Sequence, residues 1–384
     1  MSNGLSAVFR HRFASVTNRL LSADALVDAT APWVVTREEL HRSGSWTAVG
    51  RPEQFEIGPP VTADRLPEAL VEKVGVTSSH PSVVVELADV QLVGPDAVAV
   101  LPDDRYVLEE SLGSVPHLVR GLLKSVRGGI LPRHRSHAAD ETIDCGISLA
   151  GPWSSGYYHW FSDYLLRLQG VQHCIHETGR DPTLIIPENP PEWMEDSLEL
   201  AGFGHLETIE WTRDRLHIDT YIVSSLRRET QLTKPPVGYV FSPQAYRWLG
   251  QRIAAGHNSD TTHEKVSISR ANARERHVVN ETMLMESLRP RGFRRYVLEN
   301  MSFRDQVKLF ANADVVVAPN GAGLINIIYG TDIDVIVLFG SYVNACYPNL
   351  ADTLGFSCGI VRCAPRGMDM WADPARVTRA LDRL

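Results

Sequence analysis

The sequence predicts an α/β protein built from two Rossmann-type, doubly wound domains facing a cleft, behind a β-rich N-terminal lead-in. Three observations predict it. Short apolar runs alternate with segments of helical period from about residue 158 to the end, the alternation that produces a parallel sheet covered on both faces. Lys234-Pro235-Pro236-Val237-Gly238 interrupts that alternation with a stretch that continues neither a helix nor a central strand. The chain has 384 residues, long for one domain and sufficient for two sizeable cores. The predicted divisions are 1–115 for the lead-in, then 116–236 and 237–384.

In the lead-in, Ser82-Val83-Val84-Val85-Glu86-Leu87 and Ala97-Val98-Ala99-Val100-Leu101 read as strands, and Pro102-Asp103-Asp104-Arg105 turns the second into Tyr106-Val107-Leu108. From Tyr158 to Leu168, Trp160, Phe161, Tyr164, Leu165 and Leu168 form one apolar helical stripe. A strand at Thr183-Leu184-Ile185-Ile186 follows, then a helix from Glu192 to Ala201 stopped by Gly202. Thr208-Ile209-Glu210-Trp211 and Thr220-Tyr221-Ile222-Val223 are further strands.

Beyond the linker the pattern sharpens. Lys265 to Ser269 is a strand, and Asn280 caps a helix to Leu288. After a strand at Arg295 to Leu298, Ser302-Phe303-Arg304-Asp305 has capping-box spacing, with Phe303, Val307, Phe310 and Ala311 as the buried face of its helix. Val315-Val316-Val317-Ala318 is continuously apolar, as a central strand requires, and leads through Pro319-Asn320-Gly321-Ala322-Gly323-Leu324 into a helix ending near Tyr329. Val335 to Phe339, a helix from Tyr347 to Leu354 and Gly359-Ile360-Val361 complete the second domain. Right-handed crossovers would wind it, with the ligand crevice at the carboxyl ends of the strands.

Composition narrows the function classes. A net charge of −8 argues against a general nucleic-acid binder. The cysteines Cys145, Cys174, Cys346, Cys358 and Cys363 are scattered without a Cys-x-x-Cys pair, which suits a reducing cytoplasm and not a zinc site or disulfide framework. No run approaches the roughly 20 apolar residues that cross a bilayer, and the N-terminus lacks a signal-peptide pattern. The segment from Val8 through Arg10, Arg12 and Phe13 to Leu21 has a basic amphipathic character that allows peripheral contact with a membrane surface, although a packed terminal helix uses the same pattern. The expected location is the cytoplasm, or its membrane face.

Three constellations carry chemistry. The turn after Ala318 places Asn320, Gly321, Ala322, Gly323 and Leu324 between a buried strand and a helix start, where free amides and the helix dipole favour phosphate. It is neither G-x-G-x-x-G nor a P-loop, and its glycines equally serve tight strand–helix packing. His159, Asp163 and Arg167 are four apart, so they stack on one helix face, and a His–Asp pair at that spacing can orient an imidazole as general base. The same pattern also arises as a surface ion pair. Ser269-Arg270, Arg274, Arg276 and Asn280-Glu281 follow a strand's carboxyl end, where arginines can clamp a diphosphate or stand as a solvated loop.

The ordered series Ile268-Ser269-Arg270, Arg276, Asn280-Glu281, Gly292-Phe293, Glu299, Gln306, Ala313-Asp314, then Asn320-Gly321-Ala322-Gly323-Leu324 with Asn326, resembles the catalytic domain of family 61 glycosyltransferases. That family is also grouped with capsular polysaccharide biosynthesis proteins. The His159–Arg167 helix falls where the family carries its His-containing helix, and the resemblance runs over about 80–363. It implies a GT-B-like pair of domains, acceptor-side then nucleotide-sugar-binding. It further implies a nucleotide-sugar donor, most often UDP-linked, inversion at the anomeric carbon, no cofactor and no obligatory metal. Asp332-Ile333-Asp334 precedes its strand, unlike a metal-binding carboxylate pair at a strand's exit.

On this reading His159 is the base and Asp163 its partner. Arg270, Arg276, Asn280, Asn320, Gly321, Ala322, Gly323, Leu324 and Asn326 hold the donor, with Arg167, Glu281 and Glu299 accessory. The acceptor is a glycan or lipid-linked glycan, as in surface polysaccharide or glycoprotein synthesis. Many relatives carry His at the position of Asn320 and an acidic residue at that of Leu338. The latter departure favours the alternative of a non-catalytic glycan-binding or assembly subunit with the same fold. A nicotinamide or flavin oxidoreductase is disfavoured, because no dinucleotide fingerprint with its acidic residue is present.

Overall fold

A computed structural model describes residues 23–42, 46–50, 53–78, 82–134, 139, 141–228, 240–257 and 263–384. The amphipathic N-terminal segment and the Lys234–Gly238 linker lie outside the described residues. The protein is α/β, and its chain divides into two compact units.

The first unit comprises 1–52, 80–190 and 206–238 and holds a nine-stranded sheet. Across it the strands run Val34–Val35, Tyr106–Val107, Val98–Val100, Ser82–Val93, Arg215–Ser224, Thr142–Ser148, Thr183–Pro187 and Thr208–Trp211, with Trp46–Gly50 also on Ser82–Val93. The last four of the main series are mutually parallel, as the βα alternation predicts. Ser82–Val93 meets Arg215–Ser224 in antiparallel register, so strands of the lead-in continue the same sheet and make it mixed. That strand is longer than its first apolar run indicates. Asp89 takes φ +58° and interrupts the alternation, after which Val90, Leu92 and Val93 are again fully buried. Val115–Arg127 packs its Val115, Leu118 and Val119 against Val93, Val98 and Val100. Leu168–Thr178 covers Ser82–Val93 and Arg215–Ser224.

The predicted helix at Tyr158–Leu168 is a continuous helical path with an altered pitch. Tyr157–His159 is α, Trp160–Tyr164 is a π turn, Leu165–Arg167 is 3-10, and Leu168–Thr178 resumes α until Gly179. A π turn inserts one residue and re-aims the side chains around it, a feature often met at functional sites.

The second unit comprises 53–79, 191–205 and 239–384. Its five-stranded sheet is wholly parallel, in the order Phe293–Tyr296, Glu264–Ile268, Ala313–Pro319, Asp334–Phe339 and Cys358–Arg362. Numbered along the chain this is the 2-1-3-4-5 order of a doubly wound fold, and Ala313–Pro319 is central, as its apolar run predicts. Ser302 caps Phe303–Ala311 by accepting from the Asp305 amide at 3.1 Å. Part of the lead-in belongs here: Val61 bridges Gly359, donating to the Cys358 carbonyl at 2.7 Å. Among the described residues no helix is long and apolar enough to cross a membrane.

Candidate active site

In a 2-1-3-4-5 sheet the strand order reverses between the first and third strands, and ligands bind in the crevice at their carboxyl ends. In the second unit these strands are Glu264–Ile268 and Ala313–Pro319. The residues that leave them are Ser269-Arg270 and Asn320-Gly321.

Arg270 crosses onto the glycine turn: a Cβ on Gly321 would stand 2.0 Å from Arg270 Nη1. Gly321 itself is extended at φ −173°, a conformation open to any residue, so its role here is room for the guanidinium. Arg270 Nε donates to the Glu275 carbonyl at 3.1 Å. Arg276, at φ +66°, donates from Nη1 to the Asn320 carbonyl at 3.0 Å. Burial, and then the neighbouring Arg276 charge, pull the Arg270 guanidinium below its ordinary pKa. The two adjacent guanidinium groups concentrate positive charge, with the Glu275 carboxylate 3.8 Å from Arg276 Nε as a partial counter-charge.

Beneath them Asn320 is 1% exposed. Its backbone N–H donates to the Leu338 carbonyl at 3.0 Å, but neither Oδ1 nor Nδ2 has a partner among the described residues. Leaving such groups unmade costs about 1–3 kcal/mol, so the amide has capacity to donate and accept toward a water or a ligand. Leu338 meets Asn320 through that carbonyl. Its side chain packs with Val278, Leu284, Val317 and Val361 in the core, a place unsuited to an acidic residue.

Most other donor-site candidates are engaged within the protein. Gly323 serves packing, since a Cβ there would come 2.7 Å from Leu298 Cδ1. The segment Ala322–Tyr329 is 3-10, and the Leu324 amide is taken by the Gly321 carbonyl at 3.0 Å. The turn therefore offers fewer free amides than an α-helix N-terminus would. Asn280 precedes its helix without capping it. Its Nδ2 donates to the Ala372 carbonyl at 2.7 Å, and its Oδ1 accepts from the Ala372 amide at 2.9 Å. Asn326 is fully buried and donates to Gln306 at 2.9 Å. Glu281 accepts from Ser269 Oγ at 3.0 Å and Arg295 Nε at 2.7 Å, which fixes the strand's exit. Glu299 is exposed and acts on Arg270 through its charge.

The second cluster lies within the first unit. His159 Nδ1 is 2.7 Å from Asp163 Oδ2, and Arg228 Nε donates to the other carboxylate oxygen. Burial alone would raise the Asp163 carboxyl, but Arg228 and the His159 hydrogen bond outweigh it and hold the group well below the ordinary carboxylate range. An ionised carboxylate only accepts, so Nδ1 of a neutral His159 carries the proton and Nε2 keeps its lone pair. His159 is about one-third exposed while Asp163 is wholly buried.

Trp153 stacks on His159, with ring centroids 5.1 Å apart and planes at 29°. It is 42% exposed and held at φ +60°, a strained conformation for a bulky side chain. Tyr164, from the π turn, pins that loop by donating to the Pro152 carbonyl at 2.8 Å. His117 meets the Trp153 ring edge-on at 4.5 Å. Burial, then Arg228 and Arg120, push its pKa down to about 4.

Arg167 shares the helix but faces inward. It pairs with the buried Glu110 and donates to the Ser148 carbonyl at 3.0 Å and the Glu109 carbonyl at 3.2 Å. Its role is to tie the helix to the sheet. Sequence reasoning missed Arg228, Trp153 and His117. Arg227-Arg228 follows a strand's carboxyl end just as Arg270 does, which was the available signal. Trp153 and His117 carry no motif.

No curated protein matches the chain. A family model described as Glycosyltransferase 61 matches residues 157–337, a span narrower than 80–363 that opens on the His159 helix and includes Arg228, Arg270, Arg276 and Asn320. Residues 157–337 thus match the glycosyltransferase 61 family, the one that the sequence resembles.

Proposed function

We propose that this protein is an inverting glycosyltransferase of GT-B type, moving a sugar from a nucleotide-sugar donor, UDP-linked by preference, to a glycan or lipid-linked glycan. The observation that carries the donor side is the buried, unpartnered Asn320 amide at the switch point, beneath Arg270 and Arg276. These groups suit a diphosphate: bidentate guanidinium donors outside, and an amide able to donate and accept within.

On the acceptor side, in the first unit, His159 Nε2 is the base that takes the proton of a sugar hydroxyl as its oxygen bonds to an anomeric carbon. On the donor side, in the second unit, Arg270 and Arg276 take the charge left on the diphosphate oxygen as its bond to the anomeric carbon breaks. Asp163 stabilises the imidazolium that results without accepting the proton. The half-exposed Trp153 ring beside His159 offers an apolar face to the C–H side of a sugar ring. A surface polysaccharide or glycoprotein pathway in the cytoplasm, with peripheral membrane contact through the N-terminal segment, is the setting this reading favours.

Thermal unfolding with UDP-, GDP- and dTDP-sugars tests the donor assignment. A ligand at about 100 times its Kd adds roughly 2.7 kcal/mol. At least one nucleotide class should raise the Tm of the wild type and not that of Arg270→Ala. The same shift in both proteins would remove Arg270 from the site.

A further inference from the structure

We propose that Asp89, His134 and His217 form a binding site for Zn²⁺ or a similar borderline divalent metal, in the first unit and outside the His159 cluster. Their ligating atoms all lie within 4.8 Å of one another. The internal spacing is informative. His134 Nε2 and His217 Nε2 each stand 3.5 Å from the same oxygen, Asp89 Oδ1. That is too long for a good hydrogen bond, but it matches the edge of a tetrahedron whose metal–ligand bonds are about 2.0–2.1 Å, roughly 3.4 Å.

Two further features point to a cation. The antiparallel pairs Ile218–Val90 and Thr220–Ala88 bracket Asp219 and Asp89, which sets two aspartates opposite each other across adjacent strands. Like charges so placed are destabilising unless something neutralises them. Asp89 is held at φ +58°, a strained conformation that interrupts a 12-residue strand. The His134 side chain is 1% exposed, so its ring is held in one place beside Asp89. Without metal its Nε2 donates to the Asp89 carbonyl at 2.8 Å, so metal binding must release that proton and replace the hydrogen bond, and affinity should fall as the pH is lowered.

Two imidazoles and a carboxylate select Zn²⁺, Co²⁺ or Ni²⁺ over Mg²⁺ or Ca²⁺. Asp219, whose Oδ1 is 3.2 Å from His217 Nε2, stands beside the fourth position, to be taken by its carboxylate or by water. The ligands are distant in sequence, so cysteine and histidine spacing gives no sign of them. A metal here would join the two long strands to the segment that carries His134, independently of sugar transfer.

The test is Zn²⁺ titration of the metal-free, untagged full chain against a chromogenic chelator, with Co²⁺ absorption as a second readout. The wild type should bind one equivalent and give the intense visible bands of tetrahedral Co²⁺ with nitrogen ligands. His217→Ala and Asp89→Asn should bind at least tenfold more weakly while melting, metal-free, as the wild type does. His176→Ala, a control at an exposed histidine, should bind normally. Absence of one-equivalent binding by the wild type, an octahedral Co²⁺ spectrum, or full affinity in His217→Ala would each overturn the proposal. If a variant does not fold, the wild-type stoichiometry and spectrum decide alone.

Discussion

Asp163 receives the Nδ1 hydrogen of His159 at 2.7 Å with one oxygen, while its other oxygen is held by Arg228. The carboxylate is wholly buried, the imidazole is partly exposed, and a π turn brings the two into register. That arrangement fixes the tautomer and leaves Nε2 with its lone pair.

Asp163→Asn keeps the shape and removes the charge. The amide can present either its oxygen or its NH₂ to the ring, so tautomer control and imidazolium stabilisation are both lost. We expect kcat for transfer to fall by about 10²–10⁴-fold, with nucleotide affinity unchanged by calorimetry.

Arg228→Met leaves the buried Asp163 carboxylate without its cation, which should cost about 3–5 kcal/mol in denaturant unfolding. The sign with pH follows from the depressed folded-state value. In the wild type the contribution is complete above the unfolded carboxylate pKa of about 3.9 and is lost only as pH falls below it. In Arg228→Met burial prevails and Asp163 protonates more readily, so the stability gap between the two proteins should narrow on acidification. A gap that widens as pH falls would contradict this.

The two glycines of the turn should behave differently. Gly321→Ala places a methyl against a movable guanidinium in an unstrained backbone, so Tm should change little while nucleotide affinity drops several-fold. Gly323→Ala drives a methyl into Leu298 and should cost about 1–3 kcal/mol of stability. Paired melting and binding curves distinguish them.

Asn280→Ala removes both hydrogen bonds to the Ala372 backbone and should cost about 1–3 kcal/mol, with nucleotide affinity intact once the protein is folded. Loss of affinity in a protein of wild-type stability would instead return Asn280 to the donor site.

Those contrasts mark what was readable in the chain. Val315–Ala318 announced a central strand because burial on both faces leaves an unbroken apolar run. Ser302 and Asp305 announced their cap because capping is local. Placing Arg270 and Asn320 together required only that both follow parallel strands, and the 2-1-3-4-5 order makes those strands neighbours. Side-chain direction was not readable. Arg167 shares the His159 face by periodicity, but a π turn and a buried Glu110 draw it inward. Arg228 lies 65 residues from Asp163, and only the assembled sheet brings them together. The antiparallel half of the first sheet was hidden because Asp89 breaks the alternation of its longest strand.

The most direct test of the central claim is nucleotide release from a panel of UDP-, GDP- and dTDP-sugars, with water as acceptor, by the wild type and His159→Ala. The account predicts release by the wild type from at least one donor, slowed about 10²–10⁴-fold in His159→Ala. Equal rates in the two proteins, or no release from any donor by the wild type, would contradict it.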